Sequence, residues 1–260
     1  MRYQGEEKYS DSSNLQRFAA DLHVHTALSP CADDSCTPPN IISAAVRHGI
    51  DIIAVTDHNS AENVESMSIC AEEPGIKILP GIEVTTKEEV HIVCLFNKIE
   101  HALTLQDVIY SSLPDGRNNP DYFGRQLVVN ERGETIQENE KMLIGASGIS
   151  VEDLVEIVHN MDGLAIAAHI DRQAYSLISN LGMVPPDSSL DALEISSGTT
   201  RDEAVARFPG IEIFPLVTGS DAHLPEHVGS GPTLFLIEHR IISEIKMALN
   251  GIAGREYLIQ

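Results

Sequence analysis

Two histidines stand one residue apart in "DLHVHT", as His23 and His25. Two more ionisable pairs follow at wide intervals: Asp57 with His58 in "AVTDHN", and Asp221 with His223 in "GSDAH". Imidazole and carboxylate are the common donors for Zn²⁺, Mn²⁺ and Fe²⁺. In an extended strand, residues i and i+2 project to the same side. His23 and His25 can therefore face one ion together, and Asp221 and His223 repeat that geometry. Glu83 in "GIEV" and His169 in "AAHID" add two more donors. His91 sits inside the apolar run "EVHIVCLF", where an unpartnered imidazole would be costly to bury. One H-x-H alone is a weak sign of metal; the full set marks a metal site. His48, His101, His159, His227 and His239 fall in helical or loop stretches and are read as surface or structural residues.

The elements that must position these residues are legible as an alternation. Short apolar runs read as strands: "FAADLHV", "IDIIAVTD", "IKILPGIEVTT", "EVHIVCLF", "GLAIAAH", "DALEISS", "IFPLVTGSD" and "GPTLFLIE". Continuous apolar runs of this kind are typical of buried parallel strands. Between them lie helical patterns. "TPPNIISAAVRHG" has prolines at its start and Gly49 at its end. "SVEDLVEIVHNMDG" opens on the capping pair Ser150 and Asp153 and carries Leu154, Ile157, Val158 and Met161 on one face. Repeated strand–helix units imply a parallel sheet, and seven or eight of them a closed, irregular barrel. The histidines and carboxylates, with Ser196 and Ser197, then fall at the C-terminal ends of six strands. In a parallel barrel those ends share the face that carries the active site.

Residues 114–148 break the rhythm, and "RQLVVNERGETIQ" predicts a hairpin turning at Glu131 to Glu134. This is an insertion, too short and polar for its own core. Residues 1–17 are polar and read as a flexible N-terminal arm before one barrel domain over 18–260. The chain has no apolar signal core and no apolar run approaching the roughly 20 residues of a membrane helix, so a cytoplasmic location is expected. Four cysteines in 260 residues make no disulfide framework, and Cys70 and Cys94 read as buried thiols. The net charge is −22. Such a surface repels polyanions, so long duplex nucleic acid is not the expected ligand.

The ordered set "DLHVHT", "AVTDHN", "GIEV" with a following histidine, "AAHID" and "GSDAH" resembles the PHP (polymerase and histidinol phosphatase) superfamily, over Ala20 to about Gly229. The resemblance implies a distorted (β/α)₇ TIM-like barrel. It also implies a two- or three-metal centre (Zn, Mn or Fe) that hydrolyses phosphate esters. With no polymerase segment in the chain, the likeness is to the stand-alone phosphoesterases. Carried over, His23, His25, Glu83 and Asp221 would hold a first ion. Glu83 would bridge to a second, held also by His91 and His169. His58, His223 and one residue of the first loop would hold a third. Many members read "HTxxSDGSxxP" there; this chain reads "HTALSPCADDSCTP", three residues longer. Counting back from Pro38 aligns Asp33 with the family's aspartate, with Asp34 and Cys31 as the alternatives. Asp57, counted with Glu83, Asp221 and His223 in the catalytic set, is expected to support a ligand from behind or to act electrostatically.

Dications close together lower the pKa of a bound water, so that hydroxide is available near neutral pH, and they bind the phosphoryl oxygens. Arg172 and Arg201 each follow a ligand-bearing strand and are the expected phosphate contacts, since a guanidinium binds phosphate in bidentate fashion. The expected partner is a small phosphorylated substrate, with no long nucleic acid and no membrane. Two rivals are weighed. An amidohydrolase-type enzyme would carry a bridging lysine at a strand end, a place that Lys77, Lys87 and Lys98 do not take. A non-catalytic metal sensor or scaffold would be expected to have lost ligands.

Overall fold

The computed structural model describes residues 14–259. Its strands and helices run β1 (Gln16–Val24), α1 (Pro38–His48), β2 (Ile52–Val55), α2 (Val64–Cys70), β3 (Lys77–Thr85), β4 (His91–Leu95) and α3 (Ile99–Ser112). There follow α4 (Pro120–Phe123), β5 (Leu127–Val129), β6 (Thr135–Glu138), α5 (Val151–Asn160), β7 (Leu164–Ala167) and α6 (Leu177–Leu181). The chain ends with β8 (Ala192–Ser196), α7 (Arg201–Arg207), β9 (Leu216–Gly219), β10 (Thr233–Ile237), α8 (Ile242–Leu249) and β11 (Glu256–Ile259). Most of the expected arm lies outside the described residues, but Gln16 and Arg17 already belong to β1, opposite Ile237 and Leu236 of β10.

One nine-stranded sheet runs in the order β11-β10-β1-β2-β3-β4-β7-β8-β9. It curls into a nearly closed barrel: Val24 bridges Ala222 in parallel, just beyond β9, and the His25 N–H donates to the Ala222 carbonyl at 3.1 Å. Both faces are buried. Along β2, Ile52 and Ala54 join one apolar cluster while Ile53 and Val55 join the other. That is why the strands read as unbroken apolar runs rather than alternating ones.

Not every strand is parallel. β4 pairs antiparallel with both β3 and β7. The link from Thr85 to His91 is too short for a crossover, which needs a dozen or more residues. A tight turn, with the Thr86 N–H on the Val90 carbonyl at 2.9 Å, reverses the chain instead. The reversal puts His91 at the first residue of β4, on the rim where β3 ends; His91 pairs with Thr85. β10 and β11 are also antiparallel, and β11 extends the sheet after the helix α8.

The 114–148 insertion carries α4 and the β5–β6 hairpin, and it is fastened to the first loop. The Leu127 N–H donates to the Ala27 carbonyl at 2.8 Å. Asn63 Nδ2 donates to the Leu127 carbonyl at 2.9 Å, and its Oδ1 accepts from the Val129 N–H at 2.9 Å. Ala27 and Leu28 each share a small apolar cluster with insertion residues. None of the described helices is long and apolar enough to cross a membrane.

Candidate metal centre

Glu83, near the end of β3, is 1% exposed. Five imidazoles surround its carboxylate. His91 Nδ1 (2.9 Å), His23 Nε2 (3.2 Å) and His169 Nε2 (3.2 Å) approach Oε1, while His58 Nδ1 (3.1 Å) and His25 Nε2 (3.3 Å) approach Oε2. Asp221 Oδ1 lies 3.4 Å from His23 Nε2 and 3.1 Å from His25 Nε2. The side chain of His223 completes the cluster beside His25 and His58. Eight of the predicted ligands therefore converge from the ends of β1, β2, β3, β7 and β9 and the start of β4.

Hydrogen bonds behind the cluster fix which nitrogen faces inward. His23 Nδ1 lies 2.8 Å from Glu194 Oε2, an acceptor, so Nδ1 donates and Nε2 is the nitrogen turned toward Glu83. The same Glu194 oxygen takes the His169 N–H at 3.1 Å. His25 Nδ1 lies 2.8 Å from Ser29 Oγ, whose own proton goes to Asp57 Oδ1 at 2.7 Å. His223 Nδ1 meets the Asp221 carbonyl at 2.8 Å. Three imidazoles thus direct Nε2 into the cluster. The register of β1 against β2 shifts between Asp21 and Val24, an irregularity of the kind that re-aims side chains at a barrel rim. His169 and Asp221 hold left-handed backbone (φ 29° and 46°), conformations that cost energy in non-glycine residues and gather at functional sites.

The electrostatics fit a polycation-binding centre. Burial alone would raise the Glu83 pKa, but His91, His23 and His58 around it outweigh burial and hold it well below the usual carboxylate range. Burial would likewise lower His23 and His25. Glu194, Asp221 and Glu83 nonetheless hold His23 well above its ordinary value, and Asp221 and Glu83 raise His25 to about 9. Burial, with His25 nearby, brings His223 down to about 4, and burial takes His58 well below its ordinary 6.5. Without cations, then, protons on His23 and His25 balance the carboxylates. His58 Nδ1, His91 Nδ1, His169 Nδ1 and Asp221 Oδ1 are buried with no hydrogen-bond partner. Buried polar atoms are seldom left so, and three of these, the nitrogens of His58 and His91 beside Glu83 and the Asp221 oxygen beside His25, belong to the imidazole and carboxylate donors that divalent ions use. The residues fit the implied metals.

The other predicted residues divide. Asp57 is fully buried, but its oxygens are taken by the Thr26 N–H, Thr26 Oγ1 and Ser29 Oγ, each at 2.7 Å. It holds the first loop and, through Ser29, the His25 ring, so of the two expected roles the geometry gives it the supporting one behind a ligand. Asp33 is not brought to the cluster either. Its side chain is exposed and accepts from the Ser35 N–H at 2.9 Å, a local turn that the longer loop permits. Asp34 points to Arg125, at 3.1 Å. Cys31 is the first-loop residue that arrives, with Sγ 3.1 Å from His223 Nε2. The Arg172 guanidinium pairs with Asp221 and remains half exposed. Arg201 caps no site; its nearest partner is the Glu212 carbonyl, at 3.4 Å.

Sequence reading misses Glu194, Ser29 and Tyr175. Glu194 has a signal in hindsight: a lone carboxylate inside the apolar "DALEISS" needs a buried partner. Ser29 and Tyr175 have none, because their roles arise only from contacts across the fold.

A family model described as PHP domain matches residues 21–186, and one described as PHP-associated matches 213–250. A 5'-3' exoribonuclease of Haemophilus influenzae is 24% identical over 188 residues, 57% of this chain and 68% of that protein. The lesion-specific endonuclease PfuEndoQ of Pyrococcus furiosus superposes with a TM-score of 0.65 at 19% identity, over 93% of this chain and 58% of that one. Endonuclease Q in complex with a 27-mer duplex carrying an abasic lesion at its active site superposes with a TM-score of 0.67 at 18% identity, over the same shares. The chain thus spans little more than half the length of these endonucleases. These likenesses overturn the expectation of a small substrate with no long nucleic acid: the fold occurs with a duplex at its active site, and a relative in sequence acts on RNA. The physical error is one of scale. A net charge of −22 describes the whole surface, whereas the potential at a buried cluster is set by the ions and dipoles within a few ångströms.

Proposed function

The chain belongs to the PHP-domain family, whose relatives hydrolyse phosphate esters, and from that premise we propose that it cleaves phosphoester bonds, those of nucleic acids included, at the cluster around Glu83. The observation that carries this reading is the convergence of five imidazoles on one buried carboxylate, with orphaned donors left facing inward.

Three overlapping groups could each hold an ion: His23, His25 and Asp221; His58, Glu83 and His91; and His25, His58 and His223. We assign Glu83 as the bridging carboxylate, His169 as a further ligand beside it, and Cys31 rather than Asp33 as the first-loop ligand next to His223. Divalent cations bound there would acidify a water and neutralise phosphoryl oxygens. The chain's own residues do the positioning. Glu194 orients His23 and the backbone of His169, and Asp57 with Ser29 orients His25. Arg172, half exposed and held by a single carboxylate, keeps donors free for a substrate phosphoryl oxygen. Lys77 opens β3 at the end away from Glu83, which weighs against amidohydrolase chemistry.

The test is phosphate-ester hydrolysis across nucleoside monophosphates, single-stranded oligonucleotides and a duplex with an abasic lesion, by wild type and Glu83→Gln. Turnover of at least one of them, lost by about a hundredfold or more in Glu83→Gln with the circular dichroism unchanged, is expected. No turnover on any ester, or equal turnover by the variant, would remove the proposal.

A further inference from the structure

Beside the centre lies a second recess of about 320 Å³, within the size range of small-ligand sites. One wall is Tyr175. Its ring stacks on the candidate ligand His91, with centroids 4.6 Å apart and planes 14° from parallel. Its backbone is left-handed (φ 56°), and its carbonyl accepts the His91 N–H at 2.9 Å, which holds that uncommon conformation in place. Tyr175 is 44% exposed. The facing wall comes from the insertion: Phe123, Met142 and Ile144. On the floor is Thr85, opposite His91 in the sheet, 1% exposed and with an Oγ1 that has no hydrogen-bond partner. Glu89 is the only carboxylate among the lining residues, and there is no lysine or arginine.

We infer that this recess takes the nucleobase next to the scissile phosphate, stacked on Tyr175 with its polar edge toward Thr85 and Glu89. The occupant must offer a flat π face, because Tyr175 presents one and Phe123 borders the space. It must not be an anion, because Glu89 would repel one and no lysine or arginine lines the recess to hold it. It must carry donors and acceptors on its edge, because Thr85 Oγ1 is unsatisfied and Glu89 accepts. A nucleobase meets all three conditions, and its sugar-phosphate would cross His91 into the cluster. Stacking on an aromatic side chain tolerates any base. The inference rests on the phosphoesterase reading of the adjoining centre, and it gives the insertion a role in substrate choice.

The chain contains no tryptophan, so Tyr175→Trp places a single reporter in the recess while keeping a stacking face. In the metal-loaded Tyr175→Trp protein, AMP is expected to quench the fluorescence and ribose 5-phosphate to leave it unchanged. By calorimetry, AMP should bind wild type more tightly than ribose 5-phosphate does. Tyr175→Ala should weaken AMP about tenfold and leave ribose 5-phosphate as it was, with Tyr175→Phe restoring AMP binding. Thr85→Val should weaken AMP less. Equal binding of the two ligands to wild type would overturn the inference. So would an equal loss of both in Tyr175→Ala, which would make Tyr175 only a support for His91. These are binding readouts, so a protein that hydrolyses nothing yet shows selective quenching would refute the phosphoesterase reading and retain the recess.

Discussion

Glu83 and Cys31 mark two extremes of what a residue's surroundings reveal. Glu83 sits where strand patterning puts it, and its five imidazole neighbours come from motifs visible in the chain. Cys31 could not be chosen over Asp33 by counting, because three extra residues let the loop fold on itself and turn Asp33 outward onto Ser35. Burial, with Glu83 and Asp221 nearby, raises the Cys31 thiol well above its ordinary value, so it is protonated without metal. A coordinating thiol is deprotonated outright. Loading Co²⁺ into wild type should therefore give a thiolate-to-cobalt charge-transfer band in the near ultraviolet, absent in Cys31→Ser and unaffected in Asp33→Asn. A band that survives Cys31→Ser would return the first-loop ligand to another residue. A thiolate also biases this site toward Zn²⁺. One layer further out, Glu194→Ala removes the acceptor that fixes the His23 ring. Loss of such supports costs about 10–100-fold in metal affinity, to be read by competition with a chromogenic chelator.

At the scale of elements, the alternation of strands and helices, the helix caps and the hairpin insertion were all written in local pattern. α1 closes on Gly49 in left-handed backbone (φ 67°), and Ser150 caps α5 through the Asp153 N–H, as their residues imply. What local pattern could not supply was direction. Nothing in "EVHIVCLF" states that β4 runs against its neighbours; that follows from a link too short to cross over. The reversal puts His91 on the rim instead of in the middle of a strand. Gly219, at the end of β9, shows how tightly these elements meet. A methyl group there would lie 2.7 Å from Glu194 Oε1 and 2.9 Å from His23 Cβ. Gly219→Ala should cost about 1–3 kcal/mol in thermal or denaturant unfolding and weaken metal binding as well. A loss of stability with metal affinity intact would separate β9 packing from the centre.

For the molecule as a whole, charge has two consequences. Binding of nucleic acid by a basic protein that makes 6–10 phosphate contacts weakens about 10³–10⁵-fold between 50 and 200 mM salt. A chain of net charge −22 that engages substrate through a local centre should show less than about a tenfold change in KM for a single-stranded oligonucleotide over that range. A steep loss would point to a basic track along the surface. The second consequence is acid sensitivity away from the centre. Arg255 hydrogen-bonds Glu244 at 2.9 and 3.0 Å and holds its pKa below the ordinary 4.5. A carboxylate lowered on folding adds stability above its unfolded pKa, and that stability is lost as pH falls through the folded value. Thermal unfolding of Glu244→Gln should accordingly depend less on pH below 4.5 than that of wild type.

The central claim is that imidazoles and carboxylates from six strands form one centre that needs divalent ions to cleave phosphoesters. The most direct measurement is hydrolysis of an oligonucleotide by chelator-stripped protein as Zn²⁺ or Mn²⁺ is added in counted equivalents. No turnover is expected at zero equivalents, and a rise that saturates at two or three per chain. Full turnover by the stripped protein would contradict it.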